Sequence, residues 1–307
     1  MTIPSLQTLA LGFVVGIGIG CIYALVALAF NLVLAACGVF NLTIGGVITS
    51  AILGSYLLGT ESGWPMLVVA VLAVIFGGLI GAIAELLAVR RVLAMRPKDV
   101  AHDTMVTTLG LGMAMTALAA ILFGSETLPV ESYVSTSPIV IFDVPIRPIY
   151  VVMPVIVTVV VIAIELAMRY TEFGIVTRAV IASNEGASLL GINVNRVVRW
   201  AFIVSGCIAG LGGFLIAPVT SASALVGDEI MLFAFAAIGI GGFASMRGAL
   251  VGGLIVGIVL GILPAFLNEP SLRGPLIWLT LVIVLFIRPA GLFGKAGQFG
   301  AAGVREV

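Results

Sequence analysis

Long runs of apolar residues dominate this chain, and they restrict what it can fold into. A helix needs roughly 20 apolar residues to cross about 30 Å of hydrocarbon. Such runs recur from one end of the chain to the other, and only 9% of the residues are charged, against about 25% in a typical soluble domain. The sequence therefore predicts an all-α protein, a polytopic transmembrane helical bundle that forms one domain over residues 1–307.

The apolar pattern predicts about eight or nine membrane segments. Their expected bounds are 8–36, 42–58, 65–89, 104–123, 150–168, 200–218, 231–246, 248–267 and 275–287. The second, seventh and ninth segments are short for a full crossing, and each is bounded by Gly or Pro. Short segments of this kind occur as tilted, broken or re-entrant elements among other helices. A crossing and a re-entrant form both stay open for residues 42–58.

Charged residues predict which ends of the segments face the cytoplasm, because Lys and Arg are enriched in cytoplasmic loops. The basic clusters are Arg90, Arg91, Arg96 and Lys98, then Arg169, Arg178, Arg196 and Arg199, and finally Arg288, Lys295 and Arg305. The stretches between them carry the acidic residues Glu61, Glu126, Glu131, Asp143, Asp228, Glu229 and Glu269. We therefore expect alternating orientation from the third segment to the ninth, with an outside N-terminus if the second segment crosses fully.

The sequence does not predict an enzyme or a nucleotide site. A phosphate-binding loop needs Gly-rich backbone followed by Lys and then Ser or Thr, and neither Lys98 nor Lys295 fits that pattern. The single histidine, His102, stands beside Asp103 in a charged stretch, where we interpret the two as a solvated or helix-capping pair. The three cysteines lack metal-ligand spacing. With a net charge of zero, nothing indicates a nucleic-acid partner.

The apolar segments contain few ionisable groups. Glu85 lies near Arg90 and Glu165 lies four residues before Arg169, so we expect both carboxylates to be paired, or to snorkel to the interface, at cytoplasmic ends. The other polar residues are neutral: Asn31, Asn41, Thr43, Thr49, Ser50, Thr107, Thr108, Thr116 and Ser205. A solute path would then have uncharged side chains, although such groups also bond within and between helices.

Glycines four residues apart form several stripes. They are Gly12, Gly16 and Gly20; Gly77 and Gly81; Gly206 and Gly210; Gly248 and Gly252; and Gly253, Gly257 and Gly261. Each stripe would give a helix a smooth face for close crossing in lipid. We expect most of them to pack inside the chain, and a stripe that faces a second subunit stays open as the alternative.

Residues 171–199 are too polar to span a membrane, yet they carry helical signals. Ile175, Val176, Ala179 and Val180 recur at helical spacing. Ser183 and Asn184 offer N-caps for a second short helix, which Gly191 would end. Two short amphipathic helices on the cytoplasmic face would form a docking surface for a separate ATPase, and an ordinary surface loop is the alternative.

Three stretches resemble the permeases of branched-chain amino-acid ABC importers, and the match runs over most of the chain. The first is GCIYALVAL at 20–28 followed by GVFNL at 38–42. The second is EGASLLGIN at 185–193, similar to the family's coupling segment Glu-Ala-Ala-x-x-x-Gly-Ile. The third is RPAGLFG at 288–294, close to the family's terminal motif. Where the family commonly has Ala-His-Gly after the Asn, this chain has Thr43-Ile44-Gly45.

The resemblance implies a type II ABC importer arrangement in a prokaryotic cytoplasmic membrane. Its expected partners are a second homologous permease, two cytoplasmic ATPases and an extracytoplasmic solute-binding protein, with lipid around the permeases. The short N-terminus favours the smaller permease of a heterodimer over a homodimer. ATP and Mg²⁺ would belong to the ATPases, with no cofactor on this chain. Branched-chain amino acids are the first expected solute, and urea, amides and aromatic or other organic acids are the alternatives.

The expected mechanism is alternating access driven by the ATPases. The expected coupling residues are Arg178, Ser183, Asn184, Glu185, Gly186, Ala187, Leu189, Leu190 and Gly191. The residues expected to line or gate the pathway are Asn41, Thr43, Gly45, Thr49, Gly241, Gly242 and Ser245, because helix ends there could offer backbone groups to an anionic solute. An ATP-independent secondary transporter or channel for a small neutral solute is the alternative function.

Overall fold

The computed structural model describes residues 6–94, 100–124, 126–141, 144–243, 245–266, 273–288 and 291–294. The predicted residues Arg96, Lys98, Asp143, Glu269, Lys295 and Arg305, with Pro289 and Ala290 of the terminal motif, lie outside them. The helices are α1 (Leu6–Cys37), α2 (Ile44–Ser55), α3 (Met66–Ala84), α4 (Arg90–Ala94), α5 (Val100–Phe123), α6 (Ile149–Tyr170), α7 (Glu172–Ala182), α8 (Asn184–Leu189), α9 (Val194–Thr220), α10 (Val226–Gly241), α11 (Met246–Phe266) and α12 (Arg273–Ile287). π-Helical turns at Tyr56–Glu61 and Glu85–Val89 extend α2 and α3.

The predicted polytopic helical bundle is confirmed. Within the described residues, six helices are long and apolar enough to cross a membrane: α1, α3 with its π-helical extension, α5, α6, α9 and α11. The segments predicted to be short are short here too, since α2 has 12 residues, α10 has 16 and α12 has 15. The count of eight or nine segments therefore holds approximately, as six long helices and three shorter apolar ones.

Several predicted boundaries differ from the observed ones. α9 begins six residues before the predicted start at 200, so Arg196 and Arg199 lie in its first turns and not in a loop. α5 also begins early and includes His102 and Asp103. α10 begins at Val226, which places Asp228 and Glu229 in a helix, whereas the sequence suggested an outward loop.

The chain forms two compact units, each built from separate stretches of sequence. The first unit contains Met1–Asn31, Ser132–Thr158 and Leu232–Val307, and the second contains Leu32–Glu131 and Val159–Met231. In the first unit, an antiparallel hairpin joins β1 (Ile139–Ile141) to β2 (Val144–Ile146), with Ile139 opposite Ile146. The expectation of one permease domain stays a prediction.

Glycine stripes make the tightest helix crossings in each unit. In the second unit, a Cβ at Gly206 would overlap the carbonyl oxygen of Gly77, so the backbones of α3 and α9 touch there. In the first unit, a Cβ at Gly12 would lie 2.6 Å from the carbonyl oxygen of Gly261, where α1 crosses α11. Small residues permit this approach in lipid. These stripes therefore pack within their own units, as expected for most of them.

Candidate transport pathway and coupling segment

The turn before α2 contains two of the predicted pathway residues, and both are buried. The Asn41 side-chain oxygen accepts the N–H of Thr43 at 3.2 Å. The Thr43 hydroxyl donates to the carbonyl oxygen of Thr108 at 3.4 Å, and the N–H of Leu42 donates to the Thr108 hydroxyl at 3.3 Å. These polar groups therefore bond one another and α5, and they fix the start of α2.

α2 begins beside the middle of α5. A Cβ at Gly112, near the midpoint of α5, would lie 2.9 Å from the carbonyl oxygen of Leu42. The N-terminus of α2 therefore packs directly on the backbone of α5. A helix N-terminus carries a partial positive charge. A full crossing and a re-entrant form both stay predictions for the second segment.

A carboxylate lies against the first turn of α2, where Gly45 and Thr49 were predicted to serve the pathway. A Cβ at Gly45 would overlap Oδ1 of Asp228, and the Thr116 hydroxyl donates to Oδ2 of Asp228 at 3.0 Å. The Thr49 hydroxyl donates to the carbonyl oxygen of Ala224 at 3.4 Å. A negative charge at a helix N-terminus is stabilising. The Thr43 side chain does not cap α2, because its hydroxyl donates to α5.

Asp228 is the pathway candidate that sequence reasoning missed. From its position in the sequence, Asp228 was predicted only to belong to an acidic stretch that faces outward. The structure instead brings it, half-buried, to Thr116 and Gly45, which are distant in sequence. The only local signal was a Gly-Asp-Glu run directly before a short apolar segment. The expectation of a wholly uncharged intramembrane region needs this correction.

The remaining pathway residues, Gly241, Gly242 and Ser245, lie in the first unit, at the turn between α10 and α11. The Ser245 hydroxyl accepts the N–H of Gly248 at 3.0 Å and so caps α11. The Ser245 carbonyl oxygen accepts the side-chain N–H of Asn31 at 3.0 Å. Gly241 and Gly242 are buried, and a Cβ at Gly241 would overlap the carbonyl of Gly248. The turn is thus tightly packed.

A cavity of about 430 Å³ in the second unit does not contain Asn41, Thr43, Gly45 or Thr49. It lies between α2 and α3 and is lined almost entirely by apolar side chains, among them Leu58, Phe76 and Leu79. The two lining hydroxyls are turned to their own helix: Ser50 donates to Gly46 and Ser55 to Ala51. The cavity offers no polar group to a zwitterion.

The predicted pair of short helices is present in the segment 171–199. The Thr171 hydroxyl accepts the N–H of Gly174 and caps α7. The Ser183 hydroxyl accepts the N–H of Gly186 at 3.1 Å and caps α8, which contains Asn184 and Glu185. Both caps satisfy N–H groups that a helix terminus leaves without intrahelical partners.

Gly191 ends α8 as predicted. Its φ is +79°, a left-handed conformation that glycine adopts without a Cβ penalty. The N–H of Ile192 donates to the carbonyl oxygen of Ala187 at 3.0 Å, and the N–H of Gly191 donates to that of Ser188 at 3.0 Å. These two bonds are the Schellman arrangement, which gives the last carbonyls of a helix partners.

The two short helices pack on the start of α9 through one small apolar cluster. Val180 of α7, Ala187 of α8 and Val197 of α9 form its buried centre. Leu189 and Leu190, by contrast, are 89% and 80% exposed. Arg178 is exposed and donates to the carbonyl oxygens of Gly174 and Arg169. The α7–α8 tip, defined here as residues 183–191, is therefore a braced projection with two apolar side chains uncovered.

Ion pairs connect the ends of these helices. Glu165 pairs with Arg169 at 2.8 Å, as predicted from their spacing. Glu85, which is only 3% exposed, pairs with Arg199 at 3.2 Å. The expected partner of Glu85 was Arg90, five residues on, so the prediction of an ion pair was right and the predicted partner was wrong. The pair ties the π-helical end of α3 to the first turns of α9.

Known proteins similar to this chain match it over most of its length. The chain is 26% identical to the High-affinity branched-chain amino acid transport system permease protein LivH of Escherichia coli (strain K12) over 297 residues, covering 91% of this chain and 94% of the relative. It is 23% identical to the corresponding protein BraD of Pseudomonas aeruginosa over 295 residues, with the same shares. PsaBC from Streptococcus pneumoniae in complex with Fab covers 91% of this chain and 92% of the solved chain at 15% identity, with a TM-score of 0.47.

A family match covers nearly the whole chain. The sequence model described as "Branched-chain amino acid transport system / permease component" aligns with residues 12–285. That range includes all six of the long apolar helices, apart from the first turn of α1, and the α7–α8 tip. This multi-pass membrane protein is a transport subunit and belongs to the family of branched-chain amino acid transport system permease components.

Proposed function

We propose that the chain is one of two permease subunits of an ATP-driven importer that brings branched-chain amino acids into the cytoplasm. Family membership supports the transport role, and the names of the relatives LivH and BraD support this solute class. Urea, amides and aromatic or other organic acids are the alternative solutes. The second subunit is a homologous permease, and a heterodimer is the form we favour.

The energy source in this proposal is a pair of separate ATPases. The sequence has no phosphate-binding loop, so ATP and Mg²⁺ belong to those partners. An extracytoplasmic binding protein delivers the solute to the outer side. The permease contributes a surface to which the ATPases bind. It also contributes helices that are displaced when the ATPases change conformation.

The α7–α8 tip is the observation that carries the proposal. The tip contains α8, which is capped at Ser183 and ended at Gly191, and it is braced by α7, which is capped at Thr171. It projects Leu189 and Leu190, which have no cover in the chain's described residues. A rigid apolar projection of this kind suits insertion into a groove of a partner protein. The packing of the tip on α9 matters for this role. A flexible loop would deform when an ATPase moves, whereas a packed tip transmits the displacement to α9.

Contacts inside the second unit offer a route for that displacement. Ala187 of the tip packs with Val197 of α9. Further along α9, a Cβ at Gly213 would lie 2.8 Å from the carbonyl oxygen of Ile48, so α9 touches α2 directly. A movement of the tip would shift α9 and, with it, the first turn of α2. In this scheme, the position of α2 relative to Asp228 changes, and this change produces alternating access.

The predicted pathway residues then act as gate supports. Asn41, Thr43 and Thr49 are at most 1% exposed and bonded within the protein, which supports a gating role over a lining role. Gly45 keeps the Asp228 carboxylate in contact with α2. Gly241, Gly242 and Ser245 form the α10–α11 turn in the first unit. We assign this turn as a second gate, in addition to the gate formed by α2 and Asp228.

The experiment that tests the proposal removes the apolar character of the tip. Leu190→Asp should weaken binding of the ATPases about tenfold or more, because a leucine buried in a groove contributes about 1.5–3 kcal/mol. The control is Val140→Asp, which changes a 65% exposed residue of β1 in a segment predicted to face outward. Binding is measured as ATPase retained on the purified permease pair, and transport as ATP-dependent uptake into proteoliposomes.

The outcomes separate the two candidate functions. Loss of ATPase retention and uptake in Leu190→Asp, with both normal in Val140→Asp, supports the importer. Normal retention and uptake in Leu190→Asp contradicts the docking role. Uptake that persists at full rate without any ATPase supports the ATP-independent transporter instead.

A further inference from the structure

The last described residues of the chain form a short strap over the end of α10. The strap consists of residues 291–294. Its Leu292 N–H donates to the carbonyl oxygen of Ile240 at 2.9 Å, and its Phe293 N–H donates to that of Gly241 at 2.8 Å. All of these residues lie in the first unit.

These bonds satisfy groups that the helix itself leaves open. The last four carbonyl groups of an α-helix have no intrahelical partner. In α10 they belong to residues 238–241, and the Ile238 carbonyl accepts the N–H of Gly242 at 2.7 Å. The strap supplies donors to two of the others. Since unpaired carbonyls are costly away from water, the strap stabilises the end of α10 in its observed position.

The strap approaches the backbone so closely that only glycine fits. Gly242 has φ of +111° and Gly291 has φ of +78°. A Cβ at Gly291 would lie 2.6 Å from both the Cα and the N of Gly242, and a Cβ at Gly242 would overlap the N of Gly294. Both conformation and space therefore require glycine on each side of the contact.

The strap is anchored to α12, so it connects that helix with the α10–α11 turn. The Arg288 backbone N–H donates to Val284 at 2.7 Å and continues the last turn of α12. The Gly291 N–H donates to the Arg288 carbonyl at 2.9 Å, and the Arg288 guanidinium donates to the Leu292 carbonyl at 3.4 Å. A displacement of α12 would therefore displace the strap as well, because the two are hydrogen-bonded at Arg288.

We propose that the strap is a positioning element for transport: it links α12 to the α10–α11 turn and holds that turn in the closed gate conformation. The inference rests on the proposed function, because it takes the turn at Gly241, Gly242 and Ser245 as a gate. It adds the residues that set the position of the gate and a direct mechanical link to α12.

The test combines two strap variants with a matched control. Gly291→Ala introduces a Cβ that collides with Gly242, and Leu292→Pro removes the N–H that bonds Ile240 without adding that Cβ. The control is Gly124→Ala, which has the same left-handed backbone, φ +74°, and nothing within 4 Å of an added Cβ. Two independent strap variants keep the test decisive if one of them fails to fold.

The first readout does not depend on transport. A cysteine placed at Met246, the first residue of α11, reports on opening of the turn through its reaction rate with a membrane-impermeant maleimide. It is measured in the full complex, in inside-out vesicles, on a chain whose three native cysteines are replaced. Loss of one or two backbone hydrogen bonds should raise the rate about tenfold. The second readout is the number of solute molecules imported per ATP hydrolysed.

The proposal expects both strap variants to react faster and to import fewer solute molecules per ATP, with Gly124→Ala unchanged in both measurements. Unchanged reaction rates in the strap variants would overturn it, and so would faster reaction with a normal import ratio. If the parent complex shows no ATP-dependent uptake while the strap variants still react faster, the proposed function fails and the hold of the strap on the turn stands.

Discussion

The left-handed glycine at the end of α8 offers the most informative single substitution. Gly191 has φ of +79°, and an added Cβ would meet nothing within 4 Å. The Cβ of a leucine at this position therefore has open space around it. The cost of Gly191→Leu is the conformational penalty of a left-handed L-residue, about 1–2 kcal/mol, together with strain on the two bonds that close α8.

This cost is small for the whole protein and large for α8. The helix has six residues, and a helix of that length has no stability of its own in water. A penalty of one or two kcal/mol changes a conformational equilibrium by a factor of about 5–30. We therefore expect Gly191→Leu to reduce the population of the braced α7–α8 tip by about that factor, with little change in the thermal unfolding of the whole chain.

The assay compares Gly191→Leu with Gly63→Leu. Gly63 has a similar φ of +66° and also meets nothing within 4 Å, but it lies in the turn after the Tyr56–Glu61 helix. ATP-dependent uptake, ATPase retention and thermal unfolding are measured for both variants. Uptake should fall severalfold or more in Gly191→Leu alone. Normal uptake in that variant, or an equal loss in Gly63→Leu, would refute the reasoning.

Two further predictions concern stability. Arg199→Met should lower the free energy of unfolding by about 3 kcal/mol, since it leaves the buried Glu85 carboxylate without its cation; adding Glu85→Gln should recover most of the loss in thermal unfolding in detergent. Gly77→Leu should abolish the yield of monodisperse protein in size-exclusion chromatography, because its side chain would have to occupy the backbone of Gly206. Gly54→Leu, with nothing within 4 Å of an added Cβ, should leave the yield near normal, and equal yields would argue against the α3–α9 crossing.

Features encoded locally were predictable from the sequence. The caps at Ser183 and Gly191 need only a few neighbouring residues, and the structure has both of them where they were expected. The long apolar runs likewise predicted the spanning helices. The boundary of α9 was missed because Arg196 and Arg199 look like loop residues, although a polar first turn is compatible with a spanning helix.

Features that depend on distant contacts were not predictable. Asp228 was assigned to an outward loop, because nothing next to it in sequence indicates Thr116, 112 residues away. The partner of Glu85 is 114 residues away, whereas spacing suggested Arg90. The glycine stripes revealed that close crossings exist, but periodicity alone does not pair one helix with another. The strap was likewise visible only as a motif, with no sign that it would close α10.

Uptake by reconstituted vesicles with and without the ATPases tests the central claim most directly. The permease pair is sealed in proteoliposomes, and entry of labelled leucine is followed with ATPases and ATP, with ATPases and no ATP, and with neither. The proposed function predicts concentrative uptake only in the first condition. Full-rate uptake by the permease pair alone, without ATP or ATPases, would contradict the claim that the α7–α8 tip is moved by a separate ATP-hydrolysing partner.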